Sequence, residues 1–135
     1  MMQTIGKILA VDDDPNNIAI LEELLDNRFE LKKSSNGEQA LEIARGFQPD
    51  MILLDIMMPG IDGYEVCRRL REHDALKDTK IIMLSARAMI SEQLKGYQAG
   101  ADDYITKPFD GDELLEKVHI NFNAKNAEEV HRIKK

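Results

Sequence analysis

Residues 50–63, DMILLDIMMPGIDG, hold an uncharged apolar run that closes on a single carboxylate, Asp55, and breaks at Pro59 and Gly60. Met51, Ile52, Leu53 and Leu54 show no polar alternation, so a strand made of them has no face to offer water and belongs inside a sheet covered on both sides. Such sheets are parallel, and they keep their ligands beyond the carboxyl ends of the strands, where Asp55 would stand. Taken alone, Asp55 has a second reading, as an acid that merely ends a strand and starts a turn. What the rest of the chain brings to the same edge decides between the two.

Residues 7–11 (KILAV) form a second apolar run, ending in Asp12, Asp13 and Asp14 ahead of Pro15. Asp14 before Pro15 fits a helix cap followed by proline at the first helical position, with Ile18, Leu21, Leu24 and Leu25 at helical spacing behind it. Residues 29–33 (FELKK) alternate, as a strand at or near a sheet edge does. Asn36 and Gln39 bracket a helix start, with Ala40, Leu41, Ile43 and Ala44 on its apolar side. Asp62 and Glu65 are spaced as cap and third helical residue, with Val66 and Leu70 facing inward. Residues 80–84 (KIIML) are another buried-type strand, ending at Ser85. In 91–101 (SEQLKGYQAGA), Leu94 and Tyr97 predict a short, weakly amphipathic helix that stops near Gly100. Residues 103–106 (DYIT) give a last strand ending at Lys107 and Pro108, and Asp110 and Glu113 cap a final helix with Leu114, Leu115, Val118 and Phe122 on one side.

Five strands alternating with five helices call for right-handed crossovers and a mostly parallel sheet. The expected fold is α/β, a five-stranded sheet with helices on both faces in a three-layer sandwich. The 135 residues suit one domain with its own core. We assign 1–122 to that domain. Residues 123–135 (NAKNAEEVHRIKK) lack Gly and Pro, and Ala127, Val130 and Ile133 recur every three residues, which suits a prolonged last helix or a linker.

In this fold Asp12, Asp13, Asp55, Ser85 and Lys107 all arrive at one edge. Two carboxylates at the end of a buried strand repel by roughly 4 kcal/mol at about 4 Å in a medium of effective dielectric about 20, and a cation is the remedy. Removing either acid should therefore leave the metal-free protein no less stable. Hard oxygen ligands without His or Cys favour Mg2+, with Mn2+ as the substitute, and Mg2+ completes its octahedron with waters and phosphate oxygens. Lys107 and the Ser85 hydroxyl can then stabilise a transferring phosphoryl group, which leaves Asp55 as nucleophile and an aspartyl phosphate as product.

Composition narrows the partners. With 18 basic and 25 acidic residues the net charge is −7, which disfavours nonspecific binding to nucleic acid or anionic membrane. The basic end of the tail has no aromatic or base-reading residues beside it, so no direct nucleic-acid binding is expected. Cys67 is the only cysteine, which rules out an intramolecular disulfide. The N-terminus lacks signal-peptide regions, and no apolar run approaches the roughly 20 residues that span a bilayer. The expected location is the cytoplasm.

The chain also resembles the receiver domains of two-component response regulators, including the chemotaxis type. The resemblance spans about residues 7–122. It rests on VDDDP at the first strand's end, LLDIMMPGIDG around Asp55, LSA around Ser85 and DYITKPF around Lys107. It implies a doubly wound, flavodoxin-like fold and a phosphoryl-accepting switch rather than an enzyme with a released product. Asp12 and Asp13 take the place of the acidic pair, Asp55 of the phosphoacceptor, Ser85 of the Ser/Thr switch, Lys107 of the lysine and Tyr104 of the aromatic switch. The Met57 carbonyl becomes a further metal ligand, and the Met57 and Arg87 side chains sit where the family sets the phosphate's lifetime. A sensor histidine kinase or histidine phosphotransfer protein would be the donor. Mg2+-dependent self-phosphorylation and autodephosphorylation are the only expected catalysis.

Under that reading a phosphorylated Asp55 draws the Ser85 hydroxyl inward and the Tyr104 ring turns in from solvent. The change is read on the face of the fourth helix, fifth strand and fifth helix by a downstream protein, an output domain or a second copy of the chain. Two other readings remain. An aspartyl phosphatase of the haloacid dehalogenase type needs Asp-x-Asp followed by Thr or Val, and Asp12 and Asp14 are followed by Pro15 and Asn16. A pseudo-receiver used only for protein binding would not be phosphorylated.

Overall fold

The computed structural model describes residues 5–134, with side chains through Ala127. The elements follow in the order β1 (Gly6–Val11), α1 (Pro15–Leu25), β2 (Phe29–Ser34), α2 (Gly37–Phe47), β3 (Met51–Asp55), α3 (Gly63–Glu72), a 3-10 turn (Asp74–Leu76), β4 (Lys80–Ser85), α4 (Ile90–Ala99), β5 (Asp103–Thr106) and α5 (Gly111–Lys134). The strands form one sheet in the order β2-β1-β3-β4-β5, with every pairing parallel. This is the doubly wound sandwich expected, with β3 at its centre and buried at all five positions.

Period-two alternation along the buried strands feeds two cores. Leu9, Val11, Ile52, Leu54, Ile81, Met83 and Tyr104 point to one face and pack with α2 and α3 through Leu41, Val66, Cys67 and Leu70. Ile8, Ala10, Met51, Leu53, Ile82, Leu84 and Ile105 point to the other, against Leu21 and Leu25 of α1 and Leu114, Val118 and Phe122 of α5. The sole cysteine, Cys67, is buried in the first of these cores, and burial pushes its thiol up to about 11.

Local signals hold at most helix starts. Asp14 caps α1 by accepting from the Asn16 N–H at 2.9 Å, Asn36 caps α2 through the Gln39 N–H at 2.8 Å, and Asp62 caps α3 through the Glu65 N–H at 2.9 Å. Asp110 accepts from the Asp112 N–H at 2.9 Å at the start of α5. The Glu65 side chain does not reach back to its cap; it pairs instead with Arg68 at 3.1 Å and Arg69 at 2.9 Å.

Helix α4 (Ile90–Ala99) forms and stops at Gly100 as expected, and small residues make its inward face. Gly96 and Ala99 turn inward while Leu94 and Tyr97 are exposed. The contact is too close for large side chains, since a Cβ on Gly96 would lie 2.9 Å from the Met83 sulfur. Gly100 then ends the helix at φ +113°, the left-handed cap position that glycine occupies without a Cβ penalty.

Residues 123–134 continue α5 as helix, and the Lys125 ammonium lies 3.4 Å from Asp50, the residue just before β3. Lys135 and the side chains of Val130 and Ile133 lie outside the described residues. Among the described residues no helix is long and apolar enough to cross a membrane.

Candidate functional site

Parallel pairing brings the carboxyl ends of β1, β3, β4 and β5 side by side, and each presents at least one polar group there. Asp12 follows Val11 of β1 and is 1% exposed; Asp13 beside it faces solvent. Asp55 ends β3 at 4% exposed. Helix α3 begins hard against it, because a Cβ on Gly63 would lie 2.6 Å from the Asp55 carbonyl oxygen; glycine there lets the helix start press on the strand end. One carboxylate oxygen from each of Asp12, Asp13 and Asp55 lies within 4.8 Å of the others.

Lys107 crosses this group. Its ammonium donates to Asp12 Oδ2 at 2.7 Å and stands 3.3 Å from Asp55 Oδ1, while its backbone N–H is fixed on the Ser85 carbonyl at 2.7 Å. The other Asp12 oxygen accepts the Asp14 N–H at 2.9 Å, and Asp55 Oδ1 also accepts the Met57 N–H at 3.4 Å. Burial, followed by the neighbouring Asp12 charge, pushes the Asp55 carboxyl up to about 6, against the opposing pull of Lys107 and the Met57 N–H. Burial works against the Lys107 ammonium, yet its contacts with Asp12 and Asp55 outweigh this and raise its pKa.

Three acids with a single ammonium among them leave uncompensated negative charge, and the donors are all hard oxygens with no His or Cys. That set fits a divalent cation of the magnesium type, which binds through one or two carboxylates and retains waters. Asp14 lies apart from it, its side chain engaged in capping α1. The Asp-x-Asp reading needed for a phosphatase loses its second acid by this engagement.

Ser85 ends β4 one residue past the Asp55–Leu84 pairing and is 1% exposed, its oxygen accepting the Arg87 N–H at 3.1 Å. The structure places the Tyr104 ring inside, 4% exposed, with its hydroxyl donating to the Arg87 carbonyl at 2.8 Å. The expectation of a ring that starts in solvent therefore does not describe this state. Met57 is 53% exposed beside the site. Sequence reasoning gave no role to Tyr64 and Glu92, which meet across α3 and α4, or to Arg71, which staples the end of α3 to the β4 and β5 starts. Tyr64–Glu92 and Arg71–Gly100 join positions 28 and 29 apart in the chain, and no local pattern announces such pairs.

The sequence profile described as the response regulator receiver domain matches residues 8–119. The transcriptional regulatory protein ResD of Bacillus subtilis is 44% identical over 115 residues, covering 83% of this chain and 46% of ResD. The chain thus spans about half the length of the curated relatives it matches. A putative response regulator from Chloroflexus aurantiacus superposes with a TM-score of 0.83 at 38% identity, covering 87% of this chain and 98% of that one. The receiver domain of sensor histidine kinase PA1611 from Pseudomonas aeruginosa, with a magnesium ion coordinated in its active-site cleft, gives 0.81 at 31% identity over 87% and 98% of the two chains. On its sequence, its fold and its acidic edge alike, the chain belongs to the response regulator receiver domain family of two-component signalling.

Proposed function

We propose that Asp55 is the phosphoacceptor of this receiver domain, and that Asp12, Asp13 and Asp55, with the Met57 carbonyl, hold Mg2+ or Mn2+. The observation that carries this is the convergence of three carboxylates within 4.8 Å under one lysine at the end of the central strand. The bound ion would neutralise charge that develops on a phosphoryl group during transfer.

The remaining chemistry belongs to the chain. An Asp55 oxygen attacks phosphorus in line; the phosphoryl bond to the donor breaks, and the leaving group departs with the electron pair. Lys107, already 3.3 Å from Asp55, balances the charge of the product. The Ser85 hydroxyl, whose oxygen accepts the Arg87 N–H, donates its own proton to a phosphoryl oxygen. The donor is the phosphohistidine of a sensor kinase or histidine phosphotransfer protein, and water later returns the carboxylate. Turnover is limited to this self-phosphorylation and autodephosphorylation, in the cytoplasm.

The state is read on the face of α4, β5 and α5 by a downstream protein, an output domain or a second copy of the chain. Ile90, Leu94 and Tyr97 of α4 and Ile120 of α5 are large apolar side chains left exposed, which supports that assignment. Within this reading residues 1–122 are the receiver and 123–135 a C-terminal helical extension or linker.

Incubation with acetyl phosphate and Mg2+, followed by phosphate-affinity electrophoresis, tests the assignment. A shifted band is expected in the wild type and lost in Asp55→Asn. No shift in the wild type would make the chain a binding module without phosphoryl chemistry, and a shift retained in Asp55→Asn would move the acceptor elsewhere.

A further inference from the structure

Beside the acidic edge, a cavity of about 530 Å³ opens between Met57, Tyr64, Arg87 and Lys95. A chain of contacts fixes its cationic rim. Tyr64, buried on α3, sends its hydroxyl across to α4, 3.0 Å from Glu92 Oε2 and 3.3 Å from the Glu92 carbonyl. The other Glu92 oxygen accepts from the Arg87 guanidinium at 3.1 Å. Lys95 lies over the Tyr64 ring, 4.7 Å from its centroid. Asp62, the remaining charged residue of the lining, is engaged in capping α3.

The arrangement leaves Arg87 on the cavity wall but compensated. The hydrogen bond from Tyr64, and then the contacts of Arg87, hold the Glu92 carboxyl below the usual carboxylate range, so it remains an anion. Burial pushes the Tyr64 hydroxyl above its usual range, so it remains a donor. Asp55 meanwhile takes its ion pair from Lys107. A guanidinium that could greet an incoming phosphoryl donor is thus directed to a carboxylate instead.

Resting on the phosphoacceptor reading of Asp55, we infer that Glu92, oriented by Tyr64, is a positioning residue: it holds and neutralises Arg87 in the cavity next to Met57 and so limits how readily anionic phosphoryl donors reach Asp55. The reaction itself is unchanged, with the donor's bond to phosphorus broken and the leaving group released with the electron pair. What Glu92 sets is the charge that an approaching anion meets.

Glu92→Gln preserves shape and an oxygen for Tyr64 while leaving Arg87 uncompensated. One unbalanced positive charge in the cavity next to Met57 should raise kcat/KM for phosphorylation by acetyl phosphate about threefold to tenfold, through KM rather than kcat. The gain should be smaller with phosphoramidate, which carries less negative charge, and should fade at about 1 M salt. Tyr64→Phe, which keeps the ring and loses the hydroxyl, should give a weaker gain in the same direction. In an Arg87→Gln background Glu92→Gln should give none.

A thermal melt on every variant separates folding from function. An unchanged kcat/KM in Glu92→Gln, with or without a lower Tm, would make the contacts structural and overturn the inference. An equal gain in the Arg87→Gln background would also overturn it, because Glu92 would then act by its own charge. Wild-type protein that takes no label at Asp55 would remove the phosphoacceptor reading, and this inference with it.

Discussion

The Tyr104 hydroxyl donates to the Arg87 carbonyl at 2.8 Å, so the ring is held inside by the loop that follows Ser85, whose hydroxyl oxygen accepts the Arg87 N–H. The ring and the loop are therefore one unit. Drawing Ser85 toward a phosphoryl group must move the Arg87 carbonyl, and the hydroxyl either follows it or loses its acceptor.

Tyr104→Phe should keep the ring buried and remove only that bond. We expect a loss of about 1 kcal/mol in stability, the usual net worth of one hydrogen bond. Hydrogen exchange at Arg87 and Ala88 should quicken, while labelling of Asp55 by acetyl phosphate should persist. Unchanged exchange at those two amides would show that the hydroxyl does not hold the loop.

Asp55 gives a pH prediction whose sign follows from burial. Its carboxyl is pushed up to about 6 from an ordinary 3.8, so between those pH values the folded chain holds a proton that the unfolded chain has lost. The stabilising contribution is full below the lower value and gone above the higher one. At about 1.4 kcal/mol per pKa unit, the ionised form costs on the order of 3 kcal/mol at neutral pH. Metal-free Asp55→Asn should accordingly be more stable than wild type at neutral pH, with the gap closing toward pH 4. Paired denaturation curves across that range, in chelator, measure it. A gap independent of pH would assign it to packing instead of charge.

Much of this was legible in the sequence because the signals are local. The unbroken apolar run of β3, the Asp14–Pro15 cap and the Gly100 stop each lie within a few residues of what they determine. The edge constellation was legible too, since parallel strands put every strand end on one side once the alternation is recognised. Leu94 and Tyr97 announced the helix α4 but not its covered side, because helical spacing marks an apolar stripe without saying which stripe is covered, and here Gly96 and Ala99 fit the close contact. The family resemblance implies a Tyr104 ring that begins in solvent, yet its hydroxyl has an acceptor in a loop 17 positions away, which no spacing rule reaches. Arg71 was silent for the same reason.

Arg71 is expected to matter for stability and not for chemistry. Its guanidinium donates to the Gly100 carbonyl at 2.7 Å and 2.9 Å, to Lys77 and Thr79 carbonyls at 2.8 Å and 2.6 Å, and to Asp102 at 2.8 Å. Arg71→Ala strips several partly buried acceptors of their donor, at a cost of roughly 2–4 kcal/mol. Chemical denaturation should register this loss while the folded fraction still takes label at Asp55. A loss within about 0.5 kcal/mol, the scale of an ordinary surface change, would mean that water replaces the staple.

Asp12 and Asp13, equivalent on repulsion alone, should separate once their contacts are considered. Asp12 is buried, accepts the Asp14 N–H and holds the Lys107 ammonium at 2.7 Å, whereas Asp13 is exposed. Asp13→Ala should relieve repulsion and leave the metal-free fold as stable as before or slightly more so. Asp12→Ala should lower it, because a buried partner is lost and Lys107 is left to Asp55 alone. Both should weaken Mg2+ binding, since each removes one of three carboxylate donors. Thermal melts with and without Mg2+ read both quantities at once, because an ion that binds only the folded chain raises Tm by mass action. Asp13→Ala with an undiminished Mg2+ response would remove that residue from the metal site, and Asp12→Ala with undiminished metal-free stability would show that the Lys107 contact contributes nothing to the fold.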